Sequence, residues 1–150
     1  MEKLYISYGN NMDADRMARR CPDAEFLGTS RLKGYRLLFK GSKPGIYATI
    51  ESAPGFIVPV ALWNITASGE QRLDYYQGFP NFYDKEMIQV DLGGKMVEGM
   101  VYVMPKDRPF GVPDISYSST IAKAYKALGF DMSILGRALN DSEAYAKQKQ

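Results

Sequence analysis

Leu4-Tyr5-Ile6-Ser7-Tyr8-Gly9-Asn10-Asn11-Met12-Asp13 is the stretch on which the reading of this chain turns. Leu4-Tyr5-Ile6 is a short strand pattern, and Asp13 to Arg20 is a helical pattern led by a residue suited to an N-cap. Tyr8-Gly9-Asn10-Asn11-Met12 between them predicts a glycine turn at a helix start. A helix start presents unpaired backbone N–H groups at the positive end of its dipole. A glycine just before it lets a ligand approach the main chain closely. Such a turn suits a carboxylate, a carbonyl oxygen or a phosphate. Taken alone it is equally an ordinary capped turn.

Working outward, the chain turns β-rich. Phe26 to Phe39, interrupted by Gly28 and Gly34, predicts one or two strands with a bend or bulge. Gly41 to Gly45 and Ala53-Pro54-Gly55 are turn clusters, with a short strand at Ile46–Ile50 between them. Phe56–Ile65 is a longer apolar strand whose Pro59 implies an edge or bulge near its start, with the ladder from Val60 onward. Thr66 caps a short helix that runs through Tyr76 and stops at Gly78, with Pro80 beyond. Phe82–Leu92 and Lys95–Met104 form a hairpin about Gly93-Gly94. A Pro/Gly loop precedes a helix carrying Tyr117, Ile121, Ala124, Tyr125 and Leu128, and Asp131 caps another. These two helices are expected to cover a sheet face or the end of a barrel, with a frayed tail at residues 147–150. No repeat or linker divides the sequence, so one domain over 1–150 is expected.

Composition excludes much. The net charge of the 150 residues is +2, which makes no electrostatic case for binding a nucleic acid polymer. No apolar run approaches the roughly 20 residues that span a bilayer. Met1-Glu2-Lys3 carries no signal-peptide pattern, and Cys21 is the single cysteine, so a cytoplasmic, disulfide-free protein without a membrane partner is expected. The chain has no histidine. That removes the Ser-His-Asp triad, the Cys-His dyad and the usual zinc sites. No carboxylate cluster suggests magnesium or calcium, and no Walker-type loop is present, so no metal or cofactor is expected. The sequence does not set an oligomeric state.

Leu73-Asp74-Tyr75-Tyr76-Gln77-Gly78-Phe79-Pro80-Asn81-Phe82-Tyr83 is a second anchor. With Tyr8-Gly9-Asn10-Asn11-Met12 it resembles the gamma-glutamyl cyclotransferase-like family. That family's first motif reads Tyr-Gly-Ser-Asn-hydrophobic, with Asn10 here at the serine. Its second, in bacterial members, reads Leu-Asp-x-Tyr-Glu-Gly-x-Pro-x-x-Tyr. The strand Val60–Thr66 and the tail from Tyr117 to Asp131 also look like the family's, so the resemblance covers nearly the whole chain in order. It implies an α+β fold: a mostly antiparallel β-barrel with surrounding helices, a helical C-terminus and a pocket at the barrel mouth. It also implies a reaction in which a substrate's own α-amine attacks its γ-carbonyl, giving 5-oxoproline and a freed amine or peptide.

The resemblance places Gln77 at the position of the family's acid/base glutamate. An amide exchanges no proton near neutral pH, though it keeps glutamate's shape and hydrogen-bonds. Gln77 therefore implies retained binding and lost proton transfer. A natural non-catalytic binder, a substitution made to trap a ligand, and rescue by Asp74 or Glu86 are three accounts of it; Asp74 reads better as a pinning carboxylate. Tyr8, Gly9, Asn10, Asn11, Met12, Tyr83 and Tyr117 are the expected substrate-binding residues, and Tyr102 matches a further flanking aromatic. Tyr75, Tyr76 and Trp63 are expected to pack against the barrel. The expected partner is a small molecule, either a γ-glutamyl compound or another anionic metabolite held without turnover.

Overall fold

A computed structural model describes residues 2–42 and 45–148. The first strand, β1 (Lys3–Ser7), leads into a single 3-10 turn at Asn10–Met12 and then α1 (Ala14–Arg20). Asp13 caps α1, its carboxylate accepting from the Arg16 N–H at 3.1 Å. Two long strands follow, β2 (Glu25–Ser42) and β3 (Gly45–Ile65), then α2 (Ala67–Gln77), β4 (Asp84–Leu92), β5 (Lys95–Val103), α3 (Ile115–Leu128) and α4 (Met132–Gln148). Thr66 caps α2 by accepting from Gly69, and the Asp131 carboxylate accepts from Ser133 at the start of α4. No helix among the described residues is long and apolar enough to cross a membrane.

The strands form one sheet in the order β2-β3-β1-β5-β4. All pairs are antiparallel except β1 with β5, which meet at Tyr5 and Met100. The expected α+β class is observed, but the barrel is not closed. The end strands β2 and β4 pack near one another without ladder hydrogen bonds, so the sheet curls and stays open. The curl comes from the β2–β3 ribbon, whose register slips between Phe26 and Gly28 and again between Lys33 and Tyr35. At the second slip Gly34 and Gly55, on opposite strands, have φ of 83° and 86°, a region open chiefly to glycine.

Ala53-Pro54-Gly55 is therefore not a turn between two strands. It is the bulged stretch of a single 21-residue strand, because β2 pairs with β3 on both sides of it. Pro59 pairs with Arg31 on β2, and β1 joins the other side of β3 only from Ala61, so the proline sits where β3 is locally an edge. Of the turn cluster at 41–45 and the expected frayed tail, residues 43, 44, 149 and 150 lie outside the described residues, as does Met1. β4 begins two residues later than the apolar pattern, because residues 78–83 still form the turn after α2.

The core fills the curl. Ile6, Leu62, Val101, Met100 and Leu73 are completely or almost completely buried, with Ile121 and Tyr125 of α3 beside them. α4 lies along β2, where the buried Ser142 hydroxyl accepts from the Phe39 N–H at 2.9 Å. As expected, α4 covers a face of the sheet, while α3 packs on the Asn10–Met12 turn and on α4.

Candidate active site

Where β1 ends, the chain borders a cavity of about 360 Å³. Its wall brings together elements far apart in sequence: Tyr5-Ile6, Tyr8 to Asn11, Arg20, Tyr47-Ala48, Tyr75 to Gly78, Phe82-Tyr83, Tyr102 and Tyr117. Gly9, Asn10, Asn11 and Gln77 thus border the same space.

The loop is held open by its own turn. Met12 and Asp13 donate their N–H groups to the Gly9 and Asn10 carbonyls at 3.1 and 3.2 Å. The N–H groups of Gly9, Asn10 and Asn11 have no acceptor among the described residues. Three successive backbone donors beside a cavity are the elements of an oxyanion-binding site. The buried Asn11 side chain fixes the loop from behind. Its Nδ2 donates to the Tyr5 hydroxyl at 3.0 Å and its Oδ1 accepts from Arg20 at 2.8 Å.

The tyrosine hydroxyls divide into spent and free. Tyr8 donates to the Tyr102 carbonyl at 2.5 Å, Tyr83 to the Ala48 carbonyl at 2.6 Å, and Tyr102 to Asp74 at 2.7 Å. Tyr5 and Tyr117 instead accept, from Asn11 and from the Ala48 N–H at 3.0 Å, which leaves their own protons available. Burial pushes all five phenols up from their ordinary value, Tyr117 to about 12, so each stays protonated at neutral pH. Tyr5 and Tyr117 thus add phenolic donors to those of the loop. Tyr8 and Tyr83 shape its wall with their rings, and edge-to-face contacts join Tyr83 to Tyr102 and Phe82.

Gln77 reaches this space because α2 buries Gly69 and Leu73, and residue 77 continues the same face one turn on. Gly78 then ends the helix at φ 66°, with the Phe79 N–H returning to the Asp74 carbonyl at 2.9 Å. Among the described residues the Gln77 amide has no hydrogen-bond partner, and none of the lining residues is a carboxylate. Tyr75 and Tyr76 fall outside the buried face. They are 83% and 52% exposed at the cavity rim, rather than packed against the sheet as expected, while Trp63 is buried as expected.

Asp74 is a pinning carboxylate. It accepts from Tyr102 and, at 2.8 Å, from Lys85, which also binds Glu70; Glu70 in turn binds Lys3. Glu86 is exposed on β4 and does not line the cavity. Burial pushes the Glu70 carboxyl up, but hydrogen bonds from Lys85 and Lys3 outweigh it and hold it below its ordinary 4.5. Burial pushes Lys85 down, and its bonds to Asp74 and Glu70 outweigh that, so it titrates above its ordinary 10.5. The Glu70 contribution to stability is present above pH 4.5 and lost as pH falls through the lowered value. The Lys85 contribution is present below pH 10.5 and lost as pH rises through the raised value. Lys85→Met is expected to cost about 2 kcal/mol in urea unfolding at neutral pH, because two half-buried carboxylates lose their cation. The cost should shrink in acid and in alkali, and an unchanged midpoint at neutral pH would remove the network from the fold's support.

Of the expected binding residues, Tyr8, Gly9, Asn10, Asn11, Tyr83 and Tyr117 line the cavity with Gln77. Met12 does not. It points into the core and lines another hollow with Met17, Cys21 and Trp63. Tyr5 and Arg20 line the cavity and were not among the expected residues. The signal for Arg20 was its place four residues after Arg16 on one helical face; burial and Arg16 hold the Arg20 pKa below its ordinary value. Tyr5 gave no signal beyond strand alternation with Gly9.

A family model described as gamma-glutamyl cyclotransferase, AIG2-like matches residues 5–119. Over 82 residues the chain is 33% identical to the gamma-glutamylcyclotransferase of Homo sapiens, a match that takes in 50% of this chain and 44% of that protein. The chain thus spans less than half the length of that curated relative. A solved gamma-glutamyl cyclotransferase superposes with a TM-score of 0.81 at 27% identity, over 91% of this chain and 85% of that one. An uncharacterized protein from Homo sapiens gives 0.80 at 26% identity over the same shares. YkqA from Bacillus subtilis, at 19% identity, shares the fold with a TM-score of 0.77 over 93% of this chain and 54% of its own.

Proposed function

The chain belongs to the gamma-glutamyl cyclotransferase, AIG2-like family, and on that premise we propose that its cavity binds the γ-glutamyl group of a small γ-glutamyl amine or peptide in a conformer ready to close to 5-oxoproline. With Gln77 the chain holds this ligand and does not turn it over. One observation carries the reading. Among the described residues, three unpaired backbone donors and the partnerless Gln77 amide border the same cavity, and no carboxylate does.

The chemistry explains why so sparse a site suffices. The α-amine and the γ-carbonyl belong to one molecule, so fixing the folded conformer supplies much of the rate. The amine nitrogen attacks the γ-carbonyl carbon, and the carbonyl oxygen takes up negative charge opposite the N–H groups of Gly9 to Asn11. The α-ammonium must lose a proton, and the departing nitrogen must gain one as its bond to carbon breaks. A carboxylate at position 77 would accept the first and return it to the second. The Gln77 amide does neither, yet it can donate to the carbonyl and accept from the ammonium, which favours a bound, uncleaved ligand.

The test is calorimetric binding of γ-glutamyl compounds to the chain as it stands, with 5-oxoproline followed by mass spectrometry. Binding without release is expected. A second reading, sequestration of some other anionic metabolite, is favoured by Arg20, the one charged side chain on the cavity wall among the described residues. It predicts that such anions bind while γ-glutamyl compounds do not.

A further inference from the structure

The cavity opens onto a surface that the glutamyl group alone does not use. Arg20, Tyr75 and Tyr76 line the cavity and also an adjoining open shelf, together with Arg19, Arg72 and Ser68. Among the described residues, none of the three arginines has a carboxylate within ion-pair distance. Arg20 is fixed at the boundary between cavity and shelf, by its bond to Asn11 at 2.8 Å and by stacking over the Tyr76 ring at 4.7 Å. Tyr75 stands edge to face with Tyr76, centroids 5.5 Å apart, and is 83% exposed. Its ring is held but largely uncovered.

We propose, resting on the γ-glutamyl reading above, that this shelf receives the part of the ligand beyond the γ-carbonyl, and that this part carries both a negative charge and a planar ring. Arg19 and Arg72 are the specificity residues for the charge and Tyr75 for the ring. The shelf has cations without anions. A guanidinium binds a carboxylate or phosphate oxygen through its donor fork, while a second cation there meets only repulsion. The Tyr76 ring already carries Arg20, so the open ring for stacking is that of Tyr75. Among the described residues an ammonium-bearing tail finds no carboxylate on the cavity wall or the shelf. The chain should therefore discriminate against γ-glutamyl polyamines.

The experiment is titration calorimetry on the Gln77 chain with matched probes: γ-glutamyl-4-carboxyanilide, γ-glutamyl anilide, γ-glutamyl-alanine, its C-terminal amide, and γ-glutamyl-putrescine. The carboxyanilide is expected to bind tightest. Each charged probe should exceed its neutral mate by about 5–10-fold, since one exposed ion pair is worth roughly 2–5-fold and two arginines act. That gap should shrink in about 0.5 M salt. Arg19→Ala with Arg72→Ala should close it, and Arg31→Ala with Lys33→Ala, an equal charge loss from exposed residues outside the shelf, should not. Tyr75→Ala should weaken both anilides about fivefold and neither alanine probe. Equal binding of all five probes, or tightest binding of the putrescine conjugate, overturns the shelf while leaving the γ-glutamyl reading in place. No binding by any of the five overturns both.

Discussion

Gln77→Glu is expected to raise 5-oxoproline release from a γ-glutamyl substrate by about 10²–10⁴-fold over the chain as it stands, the usual contribution of a positioned acid/base. The position suits the task. Residue 77 is the last of α2, where the helix dipole is negative, and it is half-buried beside tyrosine rings. Both features push a carboxyl's pKa upward, towards the range in which it can take and return a proton at neutral pH. The Gln77 amide has no partner to lose, so the substitution should change stability by no more than roughly 1 kcal/mol, chiefly through the dipole. Gln77→Ala should stay at the floor, which separates proton transfer from mere opening of the cavity. The assay is mass-spectrometric detection of 5-oxoproline across a panel of γ-glutamyl amines and peptides. If Gln77→Glu folds and releases none from the whole panel, the substrate class is wrong.

Gly9→Leu is expected to weaken ligand binding by about 100-fold, and Gly9→Ala far less. The sequence suggested that residue 9 must be glycine so that a ligand could touch the main chain. The structure refines this. Gly9 has φ of −114°, which other residues can adopt, and a Cβ built there would sit 3.4 Å from the Tyr117 hydroxyl and 3.5 Å from the Ala48 Cβ, ordinary contacts. Alanine therefore fits. A leucine must push Tyr117 from its bond to Ala48 or turn into the cavity, and either move disturbs the donors. Overpacking of this kind costs about 1–3 kcal/mol, roughly 5–150-fold in Kd. Calorimetry with γ-glutamyl-alanine on both variants reads the difference. Unchanged affinity for Gly9→Leu would take the loop out of the binding site.

Local chemistry was legible in the sequence. The caps Asp13, Thr66 and Asp131, the helix stop at Gly78 and the hairpin turn at Gly93-Gly94 each depend on a few neighbouring residues, and each stands where the pattern put it. A short signal yields where a long-range ladder overrides it. Pro54-Gly55 is a turn by composition, yet β2 pairs on both sides of it and carries the strand through. Tyr75 and Tyr76 are a second case. Tyrosine's apolar body argued for packing, while the buried face of α2 had been taken by Gly69 and Leu73.

Along the chain the caps, the turn residues, most of the strand and helix alternation and the two motifs could be read, because each acts within one or two turns of chain. Which hydroxyls are free depends on contacts between distant segments. Ala48, contributed by β3, accepts from Tyr83 and donates to Tyr117, while the Tyr102 carbonyl takes the proton of Tyr8. Those partners lie 35, 69 and 94 residues apart, so no local pattern could assign them. The same holds for the open curl of the sheet, for Tyr5 and Arg20 on the cavity wall, and for the unpaired arginines beside its mouth. Each is a balance of donors, acceptors and charges that exists only once distant segments are brought together.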